Sequence, residues 1–131
     1  MSKKIRIIGP RIQYPEIYSG YTYFMKCKKT SIVKIGFSRN PTKRLLDLKL
    51  IGSNYSNYDF KILFVINENI ERAAHNALRY STPKTRETYI FNEITPLDFA
   101  KWLITPRGRW PDENKYDTEA SNMRKKIKPI N

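Results

Sequence analysis

Runs of apolar and β-branched residues recur along the chain and predict strands. Residues 21–27 and 32–37 are rich in strand formers, and the short polar segment between them predicts a hairpin. Residues 60–66 form a nearly continuous apolar stretch, which is typical of a central strand buried on both faces. Shorter strand-like segments stand at residues 5–8 and 87–91. We therefore expect a sheet assembled around a hairpin.

Three helices are predicted from start signals and apolar periodicity. Asn40 is suited to cap a helix over about residues 41–51, and Thr95 to cap one over residues 96–105. Each of these helices has a proline in its first position, where the missing N–H costs nothing. A helix over about residues 68–80 carries its apolar residues on one face. The alternation of strands and helices predicts a small α/β (α+β) fold.

The length of 131 residues fits one domain of ordinary size. We divide the chain into an N-terminal extension (residues 1–18), a folded domain (19–105) and a basic C-terminal tail (106–131). The tail is polar, with a short helix expected near residues 118–127. It is either a mobile end or an additional grip on a polyanion.

Composition excludes several classes of protein. A hydrophobic fraction of 40%, with 13% aromatic residues, can build a core, which excludes disorder throughout. Cys27 is the single cysteine, so neither a disulfide framework nor an all-cysteine zinc site is possible. The longest apolar run, residues 62–66, is too short to cross a bilayer, and the N-terminus lacks an apolar signal core. We expect a reducing, intracellular location, in the cytoplasm or nucleus.

The net charge of +13 is unevenly distributed, with +9 in residues 1–60 and +4 in residues 61–131. A positive field of this size attracts polyanions, of which nucleic acid is the commonest in cells. The alternatives are that the charge only keeps the protein soluble, or that it binds an anionic membrane. Membrane binding is disfavoured because no basic amphipathic helix with bulky apolar anchors stands out.

Several polar residues could converge on one site. Taken singly, each has an ordinary explanation: a strand tyrosine is usually core, an arginine at a helix edge is usually solvated, and a lone histidine is usually structural. The residues in question are Tyr23, Lys34, Arg44, Glu71, His75 and Glu87.

Their spacing carries more information than their types. In chain order the motifs are Gly20-Tyr21-Thr22-Tyr23, Val33-Lys34-Ile35-Gly36-Phe37-Ser38, Asn40-Pro41-x-x-Arg44-Leu45, Glu71-Arg72-Ala73-Ala74-His75 and Glu87-Thr88-Tyr89. Together they resemble the GIY-YIG nuclease superfamily, and more narrowly its T5orf172-type (MUG113-like) branch, over about residues 19–103. The resemblance implies a small three-stranded, mainly antiparallel sheet flanked by helices. Because the family is frequent in phages and large DNA viruses, it also favours a viral source.

The resemblance implies a metal-dependent endonuclease or nicking enzyme that hydrolyses phosphodiester bonds of DNA. Tyr23 matches the tyrosine that orients or activates the attacking water, and Lys34 stands where the wider superfamily has a second tyrosine. Arg44 matches the arginine that steadies charge on the scissile phosphate. Glu87 matches the carboxylate that binds Mg²⁺ or Mn²⁺, and His75 the candidate proton carrier.

Two departures from the family pattern bear on these roles. Tyr21-Thr22-Tyr23 replaces Gly-Ile-Tyr, and Arg86-Glu87-Thr88-Tyr89 replaces Gly-Glu-Trp-Phe, where the lost glycine affects how Glu87 approaches the site. Asn92 is a poor match to an asparagine that some members use. A non-catalytic nucleic-acid-binding protein with the same fold is therefore the alternative, and a monomer or a homodimer fits either function. The residues expected to contact DNA are Lys26, Lys28, Lys29, Arg39, Lys43 and Arg79.

Overall fold

A computed structural model describes residues 5–10, 14, 19–50, 57–78, 88–105 and 113–130. The strands are β1 (Ile7–Ile8), β2 (Tyr21–Cys27), β3 (Ile32–Ser38), β4 (Phe60–Ile66), β5 (Thr88–Phe91) and β6 (Ile127–Pro129). The helices are α1 (Pro41–Leu48), α2 (Glu71–Leu78), α3 (Pro96–Ile104) and α4 (Glu113–Lys126). The predicted α+β class is confirmed at this level.

The strands form one sheet in the order β1-β4-β2-β3-β5-β6, and every neighbouring pair is antiparallel. The expectation of three strands is wrong, because the described part of the chain contains six. The hairpin β2–β3 and strand β4 form the centre, and the other three strands extend it at both sides. The two edge strands have two and three residues, too few to give a recognisable alternation of apolar and polar residues.

The sheet has two differently covered faces. Helices α2 and α3 pack on the closed face, whose buried residues include Phe24, Val33 and Tyr89. Helix α1 packs on the opposite face, which we call the Tyr23 face, through Leu45 and Leu48. Alternation along β2 and β3 assigns successive side chains to the two faces, so the register decides which candidate residues meet.

The predicted helix starts are confirmed for α1 and α3. Asn40 Oδ1 accepts the Lys43 N–H at 3.1 Å, and Thr95 Oγ1 accepts the Asp98 N–H at 3.1 Å. Helix α1 ends at Leu48, before the predicted residue 51, because the Lys49 N–H bonds to a carbonyl three residues back instead of four. Among the described helices, none combines the length and apolarity that crossing a membrane requires.

The described part of the predicted tail belongs to the folded domain. Ile127 is fully buried in the closed-face core, and β6 pairs with β5. Trp102 Nε1 donates a hydrogen bond of 2.8 Å to Glu119 Oε2, which joins α3 to α4. Helix α4 extends from Glu113 to Lys126, so it begins before the short helix expected near residues 118–127. The sequence of this segment is mostly polar, so the few residues that attach it to the domain could not be recognised from composition.

Candidate active site

Tyr23 and Lys34 lie beside each other on the Tyr23 face. In the β2–β3 register Tyr23 is opposite Gly36 and Lys34 is opposite Met25, so the two side chains are diagonal neighbours. The Lys34 Nζ lies 5.6 Å from the centroid of the Tyr23 ring, within the range of a cation–π contact. Both residues are 1% exposed. The hairpin therefore fixes a phenol and an amine together in a largely dry environment.

Gly36 provides the space for the Tyr23 side chain. A Cβ atom added at Gly36 would overlap the Tyr23 phenol oxygen and the ring carbon that bears it. Glycine in the interior of a strand often marks such a close approach. In the sequence, Gly36 belongs to a motif, and its position as an isolated glycine between strand formers is also the signal of a close approach by a neighbouring side chain.

Arg44 is carried by α1 to the same side of the sheet. Leu45 and Leu48 pack into the apolar cluster around Tyr23, and Arg44 is adjacent to Leu45 and one turn before Leu48. Arg44 is nevertheless exposed, whereas Tyr23 and Lys34 are buried. The structure thus brings the three residues to one face, with the guanidinium at the surface.

His75 lies on the closed face and is not brought together with Tyr23 and Lys34. Its Nδ1 is 2.5 Å from the Tyr89 hydroxyl, and its Nε2 is 3.6 Å from Glu71 Oε1. The reason is the orientation of α2, whose Ala74 and neighbouring apolar residues pack into the closed-face core. The sheet separates this histidine from the hairpin pair.

The expected metal ligand, Glu87, lies outside the described residues, as does Arg79. Strand β5 begins at the next residue, Thr88, which is paired with Lys34. Within the described ranges, no three His, Cys, Asp or Glu residues are grouped so that they could hold a metal ion. We therefore derive no catalytic step through a metal from the geometry, and the role of Glu87 stays a prediction.

No family model, curated protein or solved structure matches this chain. The resemblance to GIY-YIG nucleases consequently depends on the order and spacing of the sequence motifs. The arrangement of the site residues is an independent observation, because it comes from the strand register and the packing of α1.

The residues expected to contact DNA are not equally available. Lys28 and Asp59 form an ion pair of 3.8 Å in which both side chains are about half exposed, so the pair contributes little and can open. Lys26 is partly buried, and its Nζ donates to the Cys27 carbonyl at 3.0 Å. The remaining described members of the set are exposed, namely Lys29, Arg39 and Lys43.

An open pocket of about 300 Å³ lies elsewhere, at the junction of the hairpin end with the β5–α3 connection. Its lining includes Lys26, Asn92, Glu93 and Asp98, together with Val33 from the closed-face core. It contains none of the residues assigned to catalysis, and its acidic groups oppose an anionic ligand. We therefore locate the candidate active site on the Tyr23 face.

Proposed function

We propose that the protein is a metal-dependent endonuclease of the GIY-YIG type that cleaves or nicks DNA on the Tyr23 face. The observation that carries this proposal is the fixed neighbourhood of Tyr23 and Lys34, on the face against which the Arg44 helix packs. These are the first three motif residues in chain order, and separate elements supply them.

The chemistry requires positive charge where the phosphodiester gains negative charge during hydrolysis. In the proposal, Arg44 binds the scissile phosphate, since its guanidinium can donate to two phosphate oxygens at once. Tyr23 orients the attacking water through its phenol. Lys34 either holds that water or donates to a phosphate oxygen. When bound at Glu87, Mg²⁺ or Mn²⁺ would polarise the phosphate and support the leaving oxygen.

His75 has a structural role in this proposal. Its contact with the Tyr89 hydroxyl joins α2 to β5 inside the closed-face core, where His75 is 6% exposed. Proton transfer to DNA needs a group within hydrogen-bond reach of the reacting atoms. Tyr23 and Lys34, which lie on the same face as Arg44, are the better candidates for this step.

A non-catalytic nucleic-acid-binding protein is the second candidate. The specific observation in its favour is the 1% exposure of both Tyr23 and Lys34, since catalysis requires their polar atoms to reach substrate. The net charge of +13 explains DNA affinity without any cleavage. The two candidates share the binding surface and differ in whether DNA is cut.

Nicking of supercoiled plasmid with Mg²⁺ or Mn²⁺, compared with excess EDTA, tests the proposal. We expect metal-dependent nicking that Arg44→Ala and Glu87→Ala both abolish. Glu87→Ala should retain or improve DNA binding, because it removes a negative charge near phosphate. Lys49→Ala is the matched control, since Lys49 is an exposed cation at the end of α1.

Full activity of wild-type protein in EDTA, or full activity of the Arg44 variant, would contradict the nuclease assignment. Tight DNA binding without cleavage under any metal condition would favour the non-catalytic candidate.

A further inference from the structure

The basic residues at the end of the chain fall on different sides of the sheet. Arg124 Nη1 donates to the Ala77 carbonyl at 2.9 Å, so this cation satisfies a backbone acceptor in the last turn of α2. Helix α4 packs against α2, on the closed side. The sequence left the basic tail, which includes Arg124, as either a mobile end or an additional contact with a polyanion, but the described contact of Arg124 is structural.

Lys128 faces the other way. In the β5–β6 register, Ile127 is paired with Phe91 and Lys128 with Ile90. Ile127 and Phe91 both belong to the closed-face core. Because successive strand residues point to opposite faces, Lys128 points to the Tyr23 face. Its side chain is exposed.

The path from Lys34 to Lys128 crosses half of the Tyr23 face. Lys34 on β3 is paired with Thr88 on β5. Two residues further along β5, Ile90 is paired with Lys128 on β6. Two strand spacings of about 4.8 Å and an offset of about two residues separate Lys34 from Lys128 by roughly 12 Å. That distance is about the axial rise of three to four phosphates in one strand of a duplex.

The charge of this half of the face suits a polyanion. The strands that form it, β3, β5 and β6, contain no Asp or Glu within their described bounds. Lys128 lies at its outer edge and is exposed, and Ile90, which is partly exposed, stands on β5 between the strands that carry Lys34 and Lys128. Helix α1 packs mainly against β4, outside this half, and makes a smaller contact with β3.

We propose that Lys128 is a second phosphate contact for the nucleic acid bound at the Tyr23 site, and that the strand backbone crosses β3, β5 and β6 to reach it. The inference rests on the proposed function for the location of the scissile phosphate. It adds Lys128 to the residues that contact DNA, although Lys128 is not among the six residues expected from the sequence to do so.

The test is equilibrium binding of a fluorescently labelled DNA duplex in EDTA over a series of salt concentrations, so that cleavage does not interfere. Lys128→Ala should weaken binding and lower the slope of log affinity against log salt by about 0.9, the value for one lost phosphate contact. Lys128→Arg should retain the wild-type slope. Lys125→Ala is the matched control, because Lys125 is an exposed cation on α4, and it should leave both quantities unchanged.

An unchanged slope in Lys128→Ala, or equal losses in the Lys128 and Lys125 variants, would overturn the inference. Its failure is distinguishable from failure of the nuclease proposal. If wild-type protein never cuts DNA but Lys128→Ala selectively lowers the salt slope, the contact stands and the nuclease assignment fails. If Arg44→Ala abolishes cutting while Lys128→Ala binds as wild type does, only the contact fails.

Discussion

Each face of the sheet contains a buried tyrosine beside a buried basic side chain, and the two pairs differ in how they are held. On the closed face, Tyr89 and His75 are in hydrogen-bond contact and are covered by helices. On the Tyr23 face, the Lys34 amine lies over the Tyr23 ring instead, near a helix that carries an exposed arginine. Both pairs combine a phenol with a nitrogen base, so their composition alone does not show which one takes part in catalysis. Their surroundings favour packing for the first and chemistry for the second.

The largest expected effect comes from removing each phenol hydroxyl in turn. Tyr23→Phe should reduce DNA cleavage by about 100-fold or more, the usual contribution of a group that transfers or orients a proton. Tyr89→Phe should retain cleavage but lower the free energy of unfolding by about 1–3 kcal/mol, because it removes the hydrogen-bond partner of His75 Nδ1. Single-turnover cleavage and urea denaturation measure the two quantities.

These two variants serve as controls for each other, since Tyr23 and Tyr89 are 1% and 0% exposed and the same oxygen is lost. An equal loss of cleavage in both variants, at temperatures where both are folded, would contradict the assignment of catalysis to the Tyr23 face and of packing to the closed face.

A smaller effect is expected from filling the space under the Tyr23 phenol. Gly36→Ala should lower the free energy of unfolding by about 1–3 kcal/mol, because the added methyl displaces a buried ring. Gly9→Ala is the control, since a Cβ there meets no atom within 4 Å. Thermal unfolding of both variants measures the difference. A Gly36 variant as stable as the Gly9 variant would show that Tyr23 is not held in the close approach described.

The smallest effect concerns Cys27, which ends β2 on the Tyr23 face. Burial raises the pKa of the Cys27 thiol, but hydrogen bonds from Thr30 and Lys29 and the charge of Lys26 outweigh it and leave the pKa lowered. The folded state therefore favours the thiolate more than the unfolded state does. The resulting stabilisation is present above the unfolded pKa and is lost as the pH falls through the folded pKa.

We consequently expect the stability of wild-type protein relative to Cys27→Ser to rise as the pH is raised toward the ordinary thiol pKa. Urea denaturation of both proteins over that range checks the direction. A difference that stays constant or shrinks with rising pH would contradict the lowered pKa.

Local signals predicted the central part of the fold. Asn40 and Thr95 cap the helices expected of them, and the apolar run 60–66 forms a central strand. These features depend on residues close in sequence, for which capping and turn chemistry are sufficient. The β2–β3 hairpin follows for the same reason.

Contacts between distant segments could not be predicted. β6 is three residues long and follows a polar helix directly, so only its pairing with β5 identifies it. The face on which His75 lies depends on how α2 packs, which a motif of residue spacings does not specify. For the same reason Lys128 was missed: its direction follows from the β5–β6 register.

Co-crystals of the protein with Mn²⁺ and a short DNA duplex test the central claim most directly, through the anomalous scattering of the ion. We expect a manganese peak in contact with Glu87 on the Tyr23 side of the sheet, with the DNA backbone extending toward Lys128. A peak beside His75 on the closed face, or DNA bound along that face, would contradict it.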